Sequence, residues 1–285
     1  MSLLLLLWPL ALIQRPEAES PLWARRSLIL LISGLTFRYL HWRCTASLNL
    51  DSTVSTSLSG LLLLAESWLL ITGLLPLWLA WRRFPDRRQE ANRRHQEWQA
   101  SDWRPHVDIL VPTYGEPLAV LQRSLLGCTQ QSYPHTTVWV LDDGGREEVR
   151  QLARSLGCRY QRRPERRHAK AGNLNAGLRR CHGELVAVFD ADFIPQHRFL
   201  ERSIGFLLEP DVALLQTPQS FINADPVMRN LRLESWLLPH AESVYRWSEP
   251  VRDGWGAVVC AGTAFVVRRH ALDQVGGFVE AALSE

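Results

Sequence analysis

Two aspartates spaced i, i+2 close the apolar run Val186-Ala-Val-Phe-Asp190-Ala-Asp192. A short, continuously apolar run reads as a buried strand of a parallel sheet. The space just outside the carboxyl end of such a strand is where open α/β sheets bind ligands. Residues i and i+2 of an extended segment point the same way. Asp190 and Asp192 would then offer one hard divalent cation two carboxylates, and that cation would hold phosphate oxygens. A strand end with two solvated acids reads identically, so the pair needs company from elsewhere in the chain.

Further strand ends supply that company. One apolar run ends Val111-Pro-Thr-Tyr114-Gly-Glu116-Pro, another Val140-Leu-Asp142-Asp143-Gly-Gly. Acids and an aromatic from three strands converging on one rim are the expected layout of a nucleotide site at a switch point of the sheet. Either Asp142 or Asp143 is suited to accept hydrogen bonds from a base or ribose, and Gly144-Gly145 permits close backbone approach or a tight turn. The run His168-Ala-Lys170-Ala-Gly172-Asn173-Leu-Asn175 carries the single lysine among 32 basic residues. A lysine and two amides where a helix starts suit an anionic ligand, because free backbone N–H groups and the helix dipole favour phosphate. The Walker spacing and the G-x-G-x-x-G fingerprint are both missing, which argues against a P-loop enzyme and a dehydrogenase.

Those residues need a scaffold, and from Arg104 onward apolar runs alternate with amphipathic stretches. Strands are expected over Val107–Val111, Thr137–Leu141, Cys158–Gln161, Leu185–Phe189 and Val212–Gln216, with a further one over Ala257–Val267 broken at Gly262. Helices are expected over Pro117–Gln131, Arg146–Leu156 and Ala169–Cys181, and a long one over Asp225–Trp247 interrupted at Pro239. Repeated βα units predict an α/β fold with a mainly parallel sheet flanked by helices, here over 105–285.

The first 83 residues differ in kind. Leu58 to Trp81 is long and apolar enough to cross a bilayer, which takes ~20 mainly apolar residues. Its one acid, Glu66, is costly in lipid and is expected to face a neighbouring helix. Ser27 to Trp42 is a second expected span, with Arg38 snorkelling near its end. Met1 to Ile13 is apolar but short, and without a basic leader or small-residue cleavage site it does not read as a signal peptide. Arginines flank the two spans at Arg25-Arg26 and from Arg82 to Arg94, while the loop Thr45–Ser57 has neither Lys nor Arg. The positive-inside rule then puts both flanks, and the α/β portion, in the cytoplasm; Arg38 and Arg43 oppose that orientation mildly. Residues 84–104 form a charged interfacial linker, either a helix among anionic headgroups or a solvated one. Its arginines are interleaved with Asp86, Glu90, Glu97 and Asp102, which disfavours nucleic acid as a partner. Five cysteines without a C-x-x-C pair argue against a disulfide framework or a zinc site.

The motif order resembles that of the catalytic subunit of bacterial cellulose synthases, processive membrane-embedded family 2 glycosyltransferases with a GT-A fold. The residues that carry it are Pro112-Thr-Tyr-Gly-Glu-Pro117, Leu141-Asp-Asp-Gly-Gly145, His168-Ala-Lys-Ala-Gly-Asn-Leu-Asn175, Phe189-Asp-Ala-Asp192, Gln216-Thr-Pro218, Phe221-Ile-Asn-Ala-Asp-Pro226 and Val259-Cys-Ala-Gly-Thr263. The acid pairs are common to many sugar-nucleotide transferases; the His-Ala-Lys-Ala-Gly-Asn and Gln-Thr-Pro segments are more specific.

The resemblance implies roles. Tyr114, Glu116 and Lys170 would hold uridine and diphosphate, and Asp142 or Asp143 would serve the uracil or ribose side of the catalytic centre. Asp190 and Asp192 would bind Mg²⁺, or Mn²⁺, bridging the UDP phosphates. Cys260, Gly262 and Thr263 would line the acceptor end. The implied reaction is inverting transfer of glucose from UDP-glucose to a growing β-1,4-glucan at the bacterial inner membrane, with membrane lipid and a periplasmic membrane-anchored subunit as partners. Gly115 and Ala261 stand where the family usually has Asn and Gly. The family's base is the Asp of Thr-Glu-Asp, of which Ser284-Glu285 matches the first two positions. The Gln-x-x-Arg-Trp motif, later channel helices and the cyclic-di-GMP-binding domain do not occur, so cyclic di-GMP is expected to act only through a domain outside this chain. The expectation is a piece of a longer protein that binds UDP and metal and does not polymerise alone. Rival readings are a chitin, hyaluronan or mannan synthase using another UDP- or GDP-sugar, and an inactive nucleotide-sugar-binding assembly subunit.

Overall fold

The computed structural model describes residues 21–82, 84, 87–234, 242 and 244–281. The expected segment 1–13, the break at Pro239 and the residues Ser284-Glu285 lie outside them. The chain divides into two compact units, Met1–Pro85 with Gln219–Val258, and Asp86–Pro218 with Val259–Glu285.

The first unit is helical. Helix α1 spans Leu22–Ala46 and α2 spans Thr53–Leu79, each longer than the segment expected. Ser52 caps α2 by accepting a hydrogen bond from the Ser55 amide at 3.1 Å, which satisfies one of the orphan donors of a helix start. Among the described residues, α2 is the one helix long and apolar enough to cross a membrane. Helix α1 has the length but carries Arg25, Arg26, Arg38 and Arg43. Glu66 does face the neighbouring helix: Arg43 of α1 donates to its carboxylate at 2.7 Å, with the arginine side chain 9 % exposed. Around the α2 end, Ile29, Ala80 and Val251 form a small core with Trp247 packed on it. Phe84 meets Trp247 edge-on at 6.3 Å, and the Arg25 guanidinium lies 4.4 Å from the Phe84 ring.

The second unit is built on a six-stranded sheet of order β3-β2-β1-β4-β6-β5. The strands are β1 Val107–Thr113, β2 Thr136–Asp142, β3 Arg159–Arg162, β4 Leu185–Val188, β5 Leu214–Gln216 and β6 Phe265–Arg268. Strands β1 to β4 pair in parallel, and β6 runs antiparallel to both β4 and β5. The sheet is therefore mixed and mostly parallel. Its two faces alternate along each strand. Ile109, Val111, Val138 and Val140 pack with Leu121 and Leu125 of helix α4 (Leu118–Thr129), Val149 of helix α5 (Glu147–Ser155) and Leu200 of helix α7 (Phe199–Ile204). Leu110, Trp139, Leu141 and Val186 pack with Leu174 of helix α6 (Ala169–Leu178) and with Leu272. Burial on both faces explains why the strands read as continuous apolar runs.

Several expectations change. Within residues 84–104, expected as a charged interfacial linker, helix α3, Arg87–Ala100, groups with the sheet unit. Trp98 is in the core, donates its indole N–H to the Trp103 carbonyl at 3.0 Å and meets Tyr133 edge-on. The long helix over 225–247 does not form as one element. Asp225 caps a short helix, α8 (Pro226–Asn230), by accepting from the Val227 and Met228 amides. Arg232 then turns left-handed at φ 57°, which ends helical propagation. The strand over 257–267 is confined to β6, because the chain up to Ala264 forms a loop with Gly262 at φ 79° and Ala264 at φ 56°. Helix α7 lies in a stretch for which no element is expected.

Candidate functional site

The order 3-2-1-4 places a topological switch between β1 and β4, and the crevice outside their carboxyl ends is the expected binding position. Register decides what lies there. Thr113 pairs with Asp142, so the β1 and β2 ends are level, whereas Val188 at the end of β4 pairs with Leu110. The chain after β4 therefore folds along the rim.

At the β1 end, Glu116 closes a tight turn. One carboxylate oxygen accepts from the Thr113 hydroxyl at 2.6 Å and from the Tyr114 amide at 2.9 Å. Burial pushes this carboxyl up, but those two hydrogen bonds, with Arg146 nearby, outweigh it and hold Glu116 below the usual range. Arg146 ties the loop down by donating to the Glu116 carbonyl at 2.7 Å and the Thr113 hydroxyl at 2.9 Å. Tyr114 is left 63 % exposed, with the Arg166 guanidinium 5.6 Å from its ring.

At the β2 end both acids are taken up by the protein. Asp142 is fully buried and accepts from the Gly144 amide at 2.8 Å, the Arg146 amide at 2.7 Å and the Tyr160 hydroxyl at 2.9 Å. Burial and then the Asp142 carboxylate push the Tyr160 phenol up to about 12. Asp143 faces Arg163 in a two-bond ion pair, both contacts 2.6 Å. Both acids, expected at the catalytic centre, are held in this structure by N–H or O–H donors of the protein. Asp143, with lone pairs beyond those facing Arg163, keeps capacity to accept from a ligand.

At the β4 end the arrangement differs. Phe193 donates its amide to the Asp190 carbonyl at 3.0 Å, so 190–193 is a turn and the same-side argument for an extended Asp-x-Asp does not apply. Lys170 reaches across from the start of α6 and donates to an Asp190 carboxylate oxygen and to the Gly262 carbonyl, each at 2.8 Å. The Asp190 amide donates to the Thr263 hydroxyl at 2.8 Å. Asp192 is exposed. Lys170, Asp190, Gly262 and Thr263, from separate parts of the sequence, thus meet at one point. The Cys260–Ala264 loop is braced by Gln216, which accepts from the Ala261 amide at 2.9 Å and donates to the Thr263 carbonyl at 3.0 Å.

The two amides expected to greet an anion do not. Asn173 is buried and donates to the Leu141 carbonyl at 2.7 Å. Asn175 clamps Phe278, donating to its carbonyl at 2.9 Å and accepting from its amide at 2.8 Å. Among the described residues no group of three or more His, Cys, Asp or Glu side chains gathers as a metal cage. A half-exposed Asp190 and an exposed Asp192 still fit a Mg²⁺-type ion, which takes one or two carboxylates and completes its shell with water and substrate phosphates. Arg146, Arg163 and Arg166 were not singled out by residue pattern. For Arg163 and Arg166 the signal was the basic run Arg162-Arg163-Pro-Glu-Arg166-Arg167 directly before His168.

The family described as Glycosyl transferase family 2 matches residues 108–276, which reaches into all six strands. The chain is 35 % identical over 275 residues to the "Cellulose synthase 1 catalytic subunit [UDP-forming]" of Komagataeibacter xylinus, covering 92 % of this chain and 35 % of that protein. It is 34 % identical over 270 residues to the "Cellulose synthase catalytic subunit [UDP-forming]" of Xanthomonas axonopodis pv. citri, covering 91 % and 36 %. The chain thus spans about a third of the length of these curated relatives. A solved structure described as the mannosyltransferase PcManGT from Pyrobaculum calidifontis with GDP-Man and Mn²⁺ is 22 % identical, covering 67 % of this chain and 55 % of that one, with a TM-score of 0.47. With a mixed, mostly parallel GT-A-like sheet, acids at three strand ends and a family match over more than half its length, the chain belongs to glycosyltransferase family 2.

Proposed function

We propose that this chain is the donor-binding part of a cellulose synthase catalytic subunit, transferring glucose from UDP-glucose to the end of a β-1,4-glucan with inversion. The observation that carries the reading is the meeting of Lys170, Asp190, Gly262 and Thr263 at one point of the rim. Transfer from a nucleotide sugar leaves a diphosphate, and its developing charge needs fixed positive groups and donors. Lys170 is placed to answer that charge once its pairing with Asp190 is shared with the ligand. Asp190 and Asp192 are the residues that would hold Mg²⁺ or Mn²⁺, which when bound neutralises phosphate charge. Tyr114, exposed beside Arg166, offers a flat face to the uracil, with Asp143 as acceptor for the base or ribose. Thr263 and its neighbour Cys260, in the loop braced by Gln216, lie toward the sugar acceptor.

The membrane part of the reading rests on α2 and on the arginines flanking the two helices. They support α1 and α2 as spans of a bacterial inner-membrane protein whose sheet unit is cytosolic. A periplasmic partner subunit belongs to the same reading.

The test is to express the longer protein in membranes and supply labelled UDP-glucose, UDP-GlcNAc or GDP-mannose with Mg²⁺. Cellulase-sensitive glucan from UDP-glucose alone, lost on chelation, is the expected result. Incorporation of another sugar would transfer the reading to a different polysaccharide. UDP binding without turnover by the longer protein would make it an inactive subunit.

A further inference from the structure

Arg163 holds two parts of the rim at once. Its guanidinium donates to both oxygens of Asp143, each contact 2.6 Å, and to the backbone carbonyls of Arg167 at 2.6 Å and Ala169 at 2.8 Å. The pair is largely withdrawn from water, with side chains 10 % and 9 % exposed. The carbonyls belong to a turn the chain does not adopt readily. His168 and Ala169 have φ 61° and 42°, a left-handed conformation that residues with a Cβ disfavour. The turn is also tight: a Cβ on Gly172 would lie 2.3 Å from the Arg167 carbonyl oxygen and 2.7 Å from an Arg163 nitrogen. Lys170, which follows this turn directly, is the residue that reaches Asp190 and the Gly262 carbonyl.

We propose that Arg163 is a positioning residue for the donor diphosphate: by clamping Asp143 at the end of β2 to the carbonyls of Arg167 and Ala169, it fixes the backbone from which Lys170 projects. The two ends of the donor, nucleoside and diphosphate, are thereby set by one guanidinium. A planar fork of five donors makes this possible; a lysine keeps the charge but cannot hold both carboxylate oxygens and two carbonyls together. The inference rests on the donor-site reading above.

The experiment is a double-mutant cycle on the whole chain in detergent, with UDP and Mg²⁺ titrated by calorimetry. Arg163→Lys should still fold, with a lowered melting temperature, and bind UDP about tenfold more weakly, the loss of roughly one charge-assisted hydrogen bond's worth of positioning. With Lys170→Ala already present, the same change should cost less than about twofold, because there is no ammonium left to misplace. A merely structural arginine would give losses that multiply. Gly172→Ala, which drives a methyl against the same carbonyl without altering any charge, is the second probe and should repeat the pattern. Parental UDP affinity in Arg163→Lys, or losses that multiply in either cycle, would overturn the proposal. Absence of UDP binding by the parent protein would instead remove the donor-site reading, and this inference with it.

Discussion

The carboxyl ends of β2 and β4 carry the same local pattern, an apolar run followed by two aspartates, and the protein uses them oppositely. At the β2 end Asp142 is fully buried and meets three donors, while Asp143 is locked to Arg163. At the β4 end Asp190 is shared with a lysine that also contacts the neighbouring loop, and Asp192 is exposed. The first pair shapes a turn and a clamp; the second faces outward, where a cation and phosphates can reach it. What separates them is the supply of donors. A buried carboxylate must be satisfied by its own protein; Asp142 is so satisfied by three donors, whereas Asp143 keeps lone pairs beyond those facing Arg163.

The contrast can be broken most directly at β4. Asp190→Asn and Asp192→Asn in the longer protein should each lower UDP release from UDP-glucose on the order of 10²–10³-fold, with unfolding free energy shifted by less than about 1 kcal/mol. Activity within tenfold of the parent would remove the metal–phosphate reading of this end. Asp142→Ala should do the reverse. It strands the Gly144 and Arg146 amides and the Tyr160 hydroxyl, a destabilisation of about 2–3 kcal/mol. Thermal unfolding of the whole chain measures it, and a wild-type melting temperature would mean that Asp142 is not the structural acid described above.

The smallest change sharpens the comparison. Tyr160→Phe removes one donor from Asp142, worth about 1 kcal/mol, and leaves the other two. It also carries a pH signature. The phenol is pushed up to about 12 in the folded chain, by burial first and then by Asp142, against about 10 in an unfolded one. A group with a raised folded value contributes stability that is fully present below the unfolded value and lost as pH rises through the folded one. The parent protein should therefore lose stability between pH ~10 and pH ~12, and Tyr160→Phe should lose less there. Parallel melting curves for the two proteins across that window would contradict the Tyr160–Asp142 contact.

Legibility in the sequence followed burial. Strands β1, β2 and β4 lie in the middle of a sheet covered on both faces, so each reads as an unbroken apolar run ending in polar residues. Strand β5 is only half-buried along its length and was expected two residues too long. Strand β6 was expected over a span that includes its lead-in loop, because Val258, Val259 and Cys260 are apolar yet irregular. The helix expected over 225–247 failed for a local reason: apolar spacing continues past Asn230, but the backbone reverses at Arg232. Helix α3 lies in a stretch dominated by charge, in which the sequence does not show that His95 and Trp98 are buried.

The site divided in the same way. Tyr114, Glu116, Lys170, Asp190 and Thr263 were legible as types of chemistry in a recognisable order. Arg146 and Arg163 were not, because all but one of the 32 basic residues are arginines, and even the basic run before His168 does not mark which of them holds a turn or a carboxylate.

What the sequence determined alone was the alternation of strands and helices, the acids at three strand ends, the lone lysine before a helix and, through their order, the family. These are local quantities, set by side-chain type and by the period at which apolar groups recur. Only the tertiary structure decided which acids are consumed by the fold and which remain for a ligand. The partner of Asp143 lies 20 residues away and that of Lys170 on the Gly262 loop 92 residues away. A carboxylate's chemistry is set by the donors within about 3 Å of it, and for Asp143 and Asp190 those come from distant parts of the chain.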